Sequence, residues 1–186
     1  MKLKNIVKMQ HGTYISRYNL TYETADGGKK VYEMISRDSN MKTRGDLVSH
    51  PVDAVVLIME DESGEHILLN KEFRMATGRY VYNFPAGLID PGETPDESAR
   101  RELKEETGLE ILGIYDVIGE SYSAVGFSNE KNVCIVGKAG GEFKPSTSVV
   151  EEIQAGWYTK EEVRALLKRE PFAARTQAYC YLWSKK

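Results

Sequence analysis

Residues 87–109 read GLIDPGETPDESARRELKEETGL, and this stretch decides the fold because it carries its own punctuation. Thr94 is a good N-cap, Pro95 suits the first helical position, and Glu97 stands where a capping box wants a carboxylate. Gly108 supplies the stop. The spacing predicts a helix from Pro95 to Thr107, about 13 residues and roughly 20 Å long at a rise of about 1.5 Å per residue. Ala99 and Leu103, four apart, would pack it down. Glu102, Glu105 and Glu106 project from neighbouring points on one side as an exposed acidic cluster, with Glu93 placed just ahead of the cap.

Like charges at these spacings cost a helix about 0.2–0.5 kcal/mol per pair, and no basic residue follows Glu106 by three or four positions to relieve them. A bound cation would. Oxygen ligands without a neighbouring His or Cys favour a hard ion, Mg²⁺ or Mn²⁺, over zinc. Arg101 lies four residues after Glu97 and four before Glu105, so it can pair with either and fix the direction of ligand carboxylates. A solvated acidic helix is the plainer reading of such a charge run. It leaves the fixed glycines and Glu93 without a purpose.

Gly87, five residues, Glu93, seven residues, Arg101-Glu102-Leu103, one residue, Glu105-Glu106, one residue and Gly108-Leu109 reproduce every fixed position of the Nudix box. On these residues the chain resembles the Nudix hydrolase superfamily. The resemblance implies an α/β/α sandwich with a mixed sheet and Mg²⁺-dependent hydrolysis of a nucleoside diphosphate linked to another moiety. It implies Glu102 and Glu106 as principal metal ligands, and Glu105 as an additional ligand or water contact that takes part in catalysis. Arg101 becomes the residue that orients them, and the Ala86 carbonyl a backbone ligand.

The flanks resemble the ADP-ribose pyrophosphatase branch, through Lys-Glu-Phe-Arg at 71–74 and Asn-Phe-Pro-Ala-Gly-Leu-Ile-Asp at 83–90. That likeness makes Arg74 a phosphate-binding candidate, and its planar fork matches phosphate oxygens. Residues 121–130, SYSAVGFSNE, resemble the branch's sugar-side loop and make Glu130 a substrate-binding candidate. The proline typical of ADP-ribose hydrolases is absent there: Ala124 stands near its place and Val125 lengthens the loop by one. Another nucleotide sugar or a dinucleotide therefore stays open. Glu151, of the pair Glu151-Glu152, falls where the branch places an acidic loop, and becomes the candidate for orienting or deprotonating the attacking water. His50, just before the first strand of the catalytic domain, is a candidate for lining the nucleotide pocket. No Ser or Cys stands at a telling spacing from any of the three histidines, so no nucleophile triad competes.

The chain has 186 residues, 41% hydrophobic and 28% charged, enough for one domain and a small accessory element. The domain reading is an N-terminal sheet element over 1–48, concerned with dimerisation, and a hydrolase domain over 49–186. A net charge of -3 gives no footprint for nucleic acid or an anionic membrane, and an acidic site that receives an anionic substrate needs bridging cations. Two cysteines make no disulfide framework, and no long apolar run or export segment follows Met1; a cytoplasmic location is the expectation.

Residues 12–37 alternate in strand fashion around Asp26-Gly27-Gly28 and read as an antiparallel hairpin, with strands starting near Thr13 and Lys30. Its tyrosines (Tyr14, Tyr18, Tyr22, Tyr32) suit an interface, and the hairpin has too little apolar mass for a core of its own. Packing of those tyrosines against the body of the protein is the alternative. In the ADP-ribose pyrophosphatase branch a comparable sheet mediates homodimers, so the resemblance implies a homodimer here. Residues 38–49 read as a linker. Val52–Met59 and His66–Phe73 read as paired core strands, Thr159–Lys168 as a capped helix and Ala173–Ser184 as a last one.

The expected function is Mg²⁺-dependent hydrolysis of a nucleoside diphosphate sugar, ADP-ribose first, to a nucleoside monophosphate and a sugar phosphate. The alternatives are a Nudix hydrolase of a GDP-sugar, dinucleotide or coenzyme A derivative, and a non-catalytic nucleotide-binding module. The last fits less well, since every glutamate and the arginine of the box are present.

Overall fold

The computed structural model describes residues 1–148 and 151–185. The chain forms two compact units, Met1–Asp53 with Glu120–Asn132, and Ala54–Gly119 with Val133–Lys186.

In the first unit β1 (Lys2–His11), β2 (Ser16–Glu23) and β3 (Lys29–Ser36) make an antiparallel sheet in that order. The expected hairpin is β2–β3, turning at Gly27 with φ 82, and its first strand starts at Ser16 rather than Thr13. The sequence reading missed β1. Its register against β2 slips between Leu3 and Asn5 and again between Lys8 and Gln10, so the period of two that betrays a strand is broken. Only Leu3 and Ile6 of β1 are half-buried. The sheet does have a core of its own, against expectation: Tyr18, Leu20, Met34 and Met41 are buried, with Leu3, Ile6, Tyr22 and Leu47 packed on them. One tyrosine is thus structural, and its hydroxyl donates to the Asp38 carbonyl at 2.7 Å. Tyr14, by contrast, is 80% exposed.

Residues 38–49 are not all linker. Helix α1 (Arg44–Val48) is capped by Thr43, with Asp46 answering the cap from the third position. An aspartate in the place usual for Glu or Gln hid that box from the sequence reading.

In the second unit β4 (Ala54–Glu60), β5 (His66–Arg74), β6 (Arg79–Asn83), β7 (Ala86–Leu88), β8 (Glu110–Tyr122), β9 (Lys131–Gly140) and β10 (Ile153–Thr159) build the main sheet. Its order is β10-β5-β4-β9-β8, with β6 paired to β5 and β7 to β4. β4 is antiparallel to β5 and β7. β9 runs parallel to β4, because Asp53 N–H meets Lys131 O where both begin and Lys138 Nζ meets Glu62 O beyond the end of β4. The sheet is mixed, as expected.

Alternation along β4 sorts the layers. Val56 and Ile58 join Ile67, Leu69, Tyr82, Phe84, Cys134, Val163, Cys180 and Trp183 in a core closed by α3 (Lys160–Leu166) and α4 (Ala174–Trp183). Val55, Leu57 and Met59, all fully buried, face the other way, where Ala99 and Leu103 of α2 (Pro95–Thr107) are also fully buried. Helices thus cover both faces, an α/β/α sandwich. Both cysteines are buried and unpaired. No helix among the described residues is long and apolar enough to cross a membrane.

Candidate active site

The box helix is fixed at both ends by local chemistry. Thr94 accepts from the Glu97 amide, while the Thr94 N–H and hydroxyl both donate to Glu97 Oε2 at 2.8 Å. Glu97 is therefore spent on the cap, and of the two partners the spacing offered Arg101 it is Glu105 that pairs with it. Gly108 ends the helix at φ 79, and the Lys144 backbone lies so close that a Cβ would stand 2.7 Å from it. A side chain there is excluded twice over.

Arg101 reaches elsewhere. Its Nε and Nη2 each meet Glu93 at 2.8 Å, Nη1 meets Glu102 at 2.7 Å and Glu105 at 3.2 Å, and Nη2 also donates to the Leu88 carbonyl at 3.0 Å. One guanidinium thus ties the loop before the cap to the carboxylate face of α2. The bonds to Glu93 foremost raise the pKa of Arg101, and the same bonds lower Glu93 to about 2. Both stay charged throughout the physiological range.

Glu102 is placed by what Gly87 lacks. A Cβ on residue 87 would fall 1.9 Å from the Glu102 carboxyl carbon and 2.1 and 2.2 Å from its two oxygens. The carboxylate lies over the bare backbone of β7, next to Ala86. Burial pushes its pKa up, and Glu105 and Glu151 add to the push against Arg101.

Glu106 is buried, 9% exposed, which overturns the expectation of an exposed cluster. Asn70 Nδ2 donates to its Oε2 at 2.8 Å. Burial first, then Glu102, Glu72 and Glu151, raise its pKa well above the ordinary carboxylate value. A group that resists ionisation for these reasons is stabilised by a cation brought to it.

Sequence reasoning missed Asn70 and Glu72. On β5 the residues Leu68, Asn70, Glu72 and Arg74 alternate onto the face turned to α2, as the Asn70–Glu106 bond shows. The signal was present: Asn70, Glu72 and Arg74 stand at alternate positions on the strand face that begins with Leu68. Glu72, 9% exposed, binds Arg74 Nη1 at 2.5 Å, so the phosphate candidate stands tethered at the strand end beside the carboxylates.

Glu151 and Glu152 part ways. The Glu152 carboxylate accepts from the Tyr80 hydroxyl, and its carbonyl accepts from the Phe73 amide at 3.0 Å. Glu151 instead lies within the field of Glu102 and Glu106. Ile153 pairs with Glu72, so the chain enters β10 alongside the polar end of β5. Val149 and Val150, just before this pair, lie outside the described residues.

Among the described residues no three His, Cys, Asp or Glu side chains are gathered to hold a metal as they stand. Arg101 and Asn70 each take one oxygen, from Glu102 and Glu106, while the carboxylates repel one another. The donor set is nevertheless what a hard cation takes, several carboxylates and a nearby backbone carbonyl at Ala86, and the buried Asn70 Oδ1, which has no hydrogen-bond partner among the described residues, marks polar chemistry there that the chain does not complete. Leaving such an acceptor unpaired costs about 1–3 kcal/mol.

Glu130 and His50 belong to the first unit. Glu130 accepts from Arg37 Nε at 2.6 Å and Ser123 Oγ at 2.8 Å. The loop that carries it is bound to β3 through Ile35 N–H and Phe127 O at 2.8 Å, and through Tyr32 and the Gly126 carbonyl. Both His50 nitrogens are engaged, Nδ1 with Pro51 O at 2.9 Å and Nε2 with Asn129 Nδ2 at 3.2 Å.

The family profile described as NUDIX domain matches residues 50–180, most of the chain. The chain belongs to the Nudix family. An ADP-ribose pyrophosphatase of Saccharomyces cerevisiae is 40% identical over 129 residues, covering 66% of this Nudix chain and 51% of that protein. An ADP-ribose pyrophosphatase of Mycobacterium tuberculosis is 31% identical over 144 residues, covering 73% of this chain and 69% of that one. The chain spans about half the length of most curated relatives it matches. A crystal structure of an ADP compounds hydrolase matches with a TM-score of 0.75 at 21% identity, covering 100% of this chain and 93% of the other, which shows the fold.

Proposed function

We propose that this Nudix chain hydrolyses the diphosphate bond of a nucleoside diphosphate sugar, ADP-ribose first, giving a nucleoside monophosphate and a sugar phosphate. The observation that carries the reading is acidic charge that the chain only partly offsets: buried Glu106 has no cationic partner among the described residues, and Glu72, Glu151 and Glu102 over Gly87 add repulsion to it although Arg101 pairs with Glu102 and Arg74 with Glu72. The donors fit Mg²⁺, or Mn²⁺, with Glu102 and Glu106 holding it, Glu105 assisting and the Ala86 carbonyl adjoining. Such an ion, when bound, offsets the charge of the diphosphate and acidifies a bound water.

The chain's own groups do the rest. Arg101 keeps the ligand carboxylates aimed through its bonds to Glu102 and Glu105. Glu151 takes the proton of the attacking water as its oxygen bonds to phosphorus and the bridging P–O bond breaks; a positioned base of this kind contributes typically ~10²–10⁴-fold. Arg74 leaves Glu72, in whole or part, to fork a phosphate. Glu130 meets the sugar side. His50, its nitrogens engaged, meets the nucleotide with its ring. The names of the relatives support the ADP-linked substrate.

The test is a panel of ADP-ribose, a GDP-sugar, a dinucleotide and a coenzyme A derivative with Mg²⁺, scored for monophosphate release. ADP-ribose is expected to give the highest kcat/KM. Turnover confined to another member would move the substrate assignment, and release from none would refute hydrolysis.

The protein acts as a homodimer through its first unit, in which Val7, Met9, Tyr14 and Ile15 are exposed. Deleting residues 1–45 should give a monomer with weakened substrate binding. A truncated dimer with unchanged kinetics would rule this out.

A further inference from the structure

Asn70 is an anomaly in its strand. Leu68 and Leu69 beside it are fully buried, and Asn70 itself is 1% exposed. Its Nδ2 meets Glu106 Oε2 at 2.8 Å, yet its Oδ1 is buried with no partner among the described residues. With Glu106 ionised, the form that holds a cation, the amide nitrogen belongs towards it, since the opposite orientation would set two oxygens against each other. A leucine at this position would remove the half-satisfied amide but would also strip the buried Glu106 Oε2 of its donor, so the one bond through which the amide serves the chain is the bond to Glu106. What an amide does there, and a leucine could not, is hold one oxygen of Glu106 from across the sheet–helix boundary and so fix how the carboxylate is turned.

We infer that Asn70 is a positioning residue, which aims Glu106 at a divalent cation. The inference rests on the proposal that Glu106 is a metal ligand. Partners that orient a ligand in this way typically account for about 10–100-fold in metal affinity.

The experiment uses the full chain with Mn²⁺ alone, no nucleotide, and compares wild type, Asn70→Leu, Asn70→Val and Glu106→Gln. Free Mn²⁺ is followed by electron paramagnetic resonance, and thermal melting is followed in chelator. Folded Asn70→Leu and Asn70→Val, held well below their melting temperatures, should bind Mn²⁺ about 10–100-fold more weakly than wild type. A purely structural role would lower both melting temperatures in chelator and leave the Mn²⁺ affinity of the folded variants unchanged, and that result overturns the inference, as does failure of both variants to fold. Unchanged Mn²⁺ affinity in the Asn70 variants, with binding lost in Glu106→Gln, also overturns it while leaving the metal reading standing. No Mn²⁺ binding by the wild type removes both.

Discussion

In the first unit each charge near the 120–132 stretch meets its opposite. Lys131 Nζ, on a side chain 2% exposed, stands 3.1 Å from Glu120, and Arg37 meets Glu130 at 2.6 Å. At α2 the balance is different. Glu102, Glu72 and Glu151 all press on buried Glu106, while Arg74 is bound to Glu72 and Arg101 is shared among Glu93, Glu102 and Glu105. Both regions are polar and partly buried, so burial alone does not mark a binding site. Charge that is paired within the chain holds structure, whereas buried charge of one sign awaits a counter-ion.

The sharpest way to break that contrast is Gly87→Ala. Its Cβ would occupy the place of the Glu102 carboxylate, so turnover should fall by about 10²-fold, at the upper end for a change that displaces a ligand. Steady-state hydrolysis at saturating Mg²⁺ measures it, and near-normal kcat would mean that Glu102 does not work from where it lies.

Arg74→Ala should act on the substrate rather than the cation, raising KM about tenfold with a smaller change in kcat, since a fork that holds phosphate in ground and transition states contributes mostly to binding. An unchanged KM would take Arg74 out of the site.

In the first unit the matching change is Glu120→Gln, which leaves the buried Lys131 ammonium without its carboxylate. Because Glu120 is itself 57% exposed, the cost should be only about 1 kcal/mol, seen as a lower urea midpoint, with turnover per folded molecule preserved. Loss of turnover without loss of stability would blur the distinction between the regions.

The acidic helix was legible because its signals are local: cap, capping box, terminal glycine and glutamate spacing all lie within residues 87–109. What escaped depends on other parts of the chain. The burial of Glu106 is set by β5, and the role of Asn70 emerges only when the alternation of that strand is laid against the helix. β1 escaped because its register slips erase the period of two.

The contrast also predicts a pH dependence in chelator. Glu102 and Glu106 have raised folded pKa values, so between the ordinary 4.5 and those values the folded protein holds more protons than the unfolded. Their stabilising contribution is present below 4.5 and is lost as pH rises through the folded values. Asp61 goes the other way: burial pushes it up, but bonds from Ser63 and His66 outweigh this and hold it at about 2. Glu93, held at about 2 by Arg101, does likewise. Both contribute above their ordinary values of 3.8 and 4.5, and that is lost as pH falls towards 2. Urea melts in chelator should therefore show greatest stability in mildly acidic solution, and Mg²⁺ should flatten the decline on the alkaline side. A decline that Mg²⁺ leaves untouched would count against the cluster as its source.

Thermal melting of Glu106→Gln beside wild type, each in chelator and in Mg²⁺, puts the central claim to the test most directly. If Glu106 is a buried charge awaiting a cation, the variant in chelator melts at or above the wild-type temperature, because repulsion from Glu102, Glu72 and Glu151 is gone. Mg²⁺ then raises the melting temperature of the wild type and not of the variant, and the variant does not turn over substrate. A variant that is less stable in chelator, yet gains as much from Mg²⁺ as the wild type, would contradict the account.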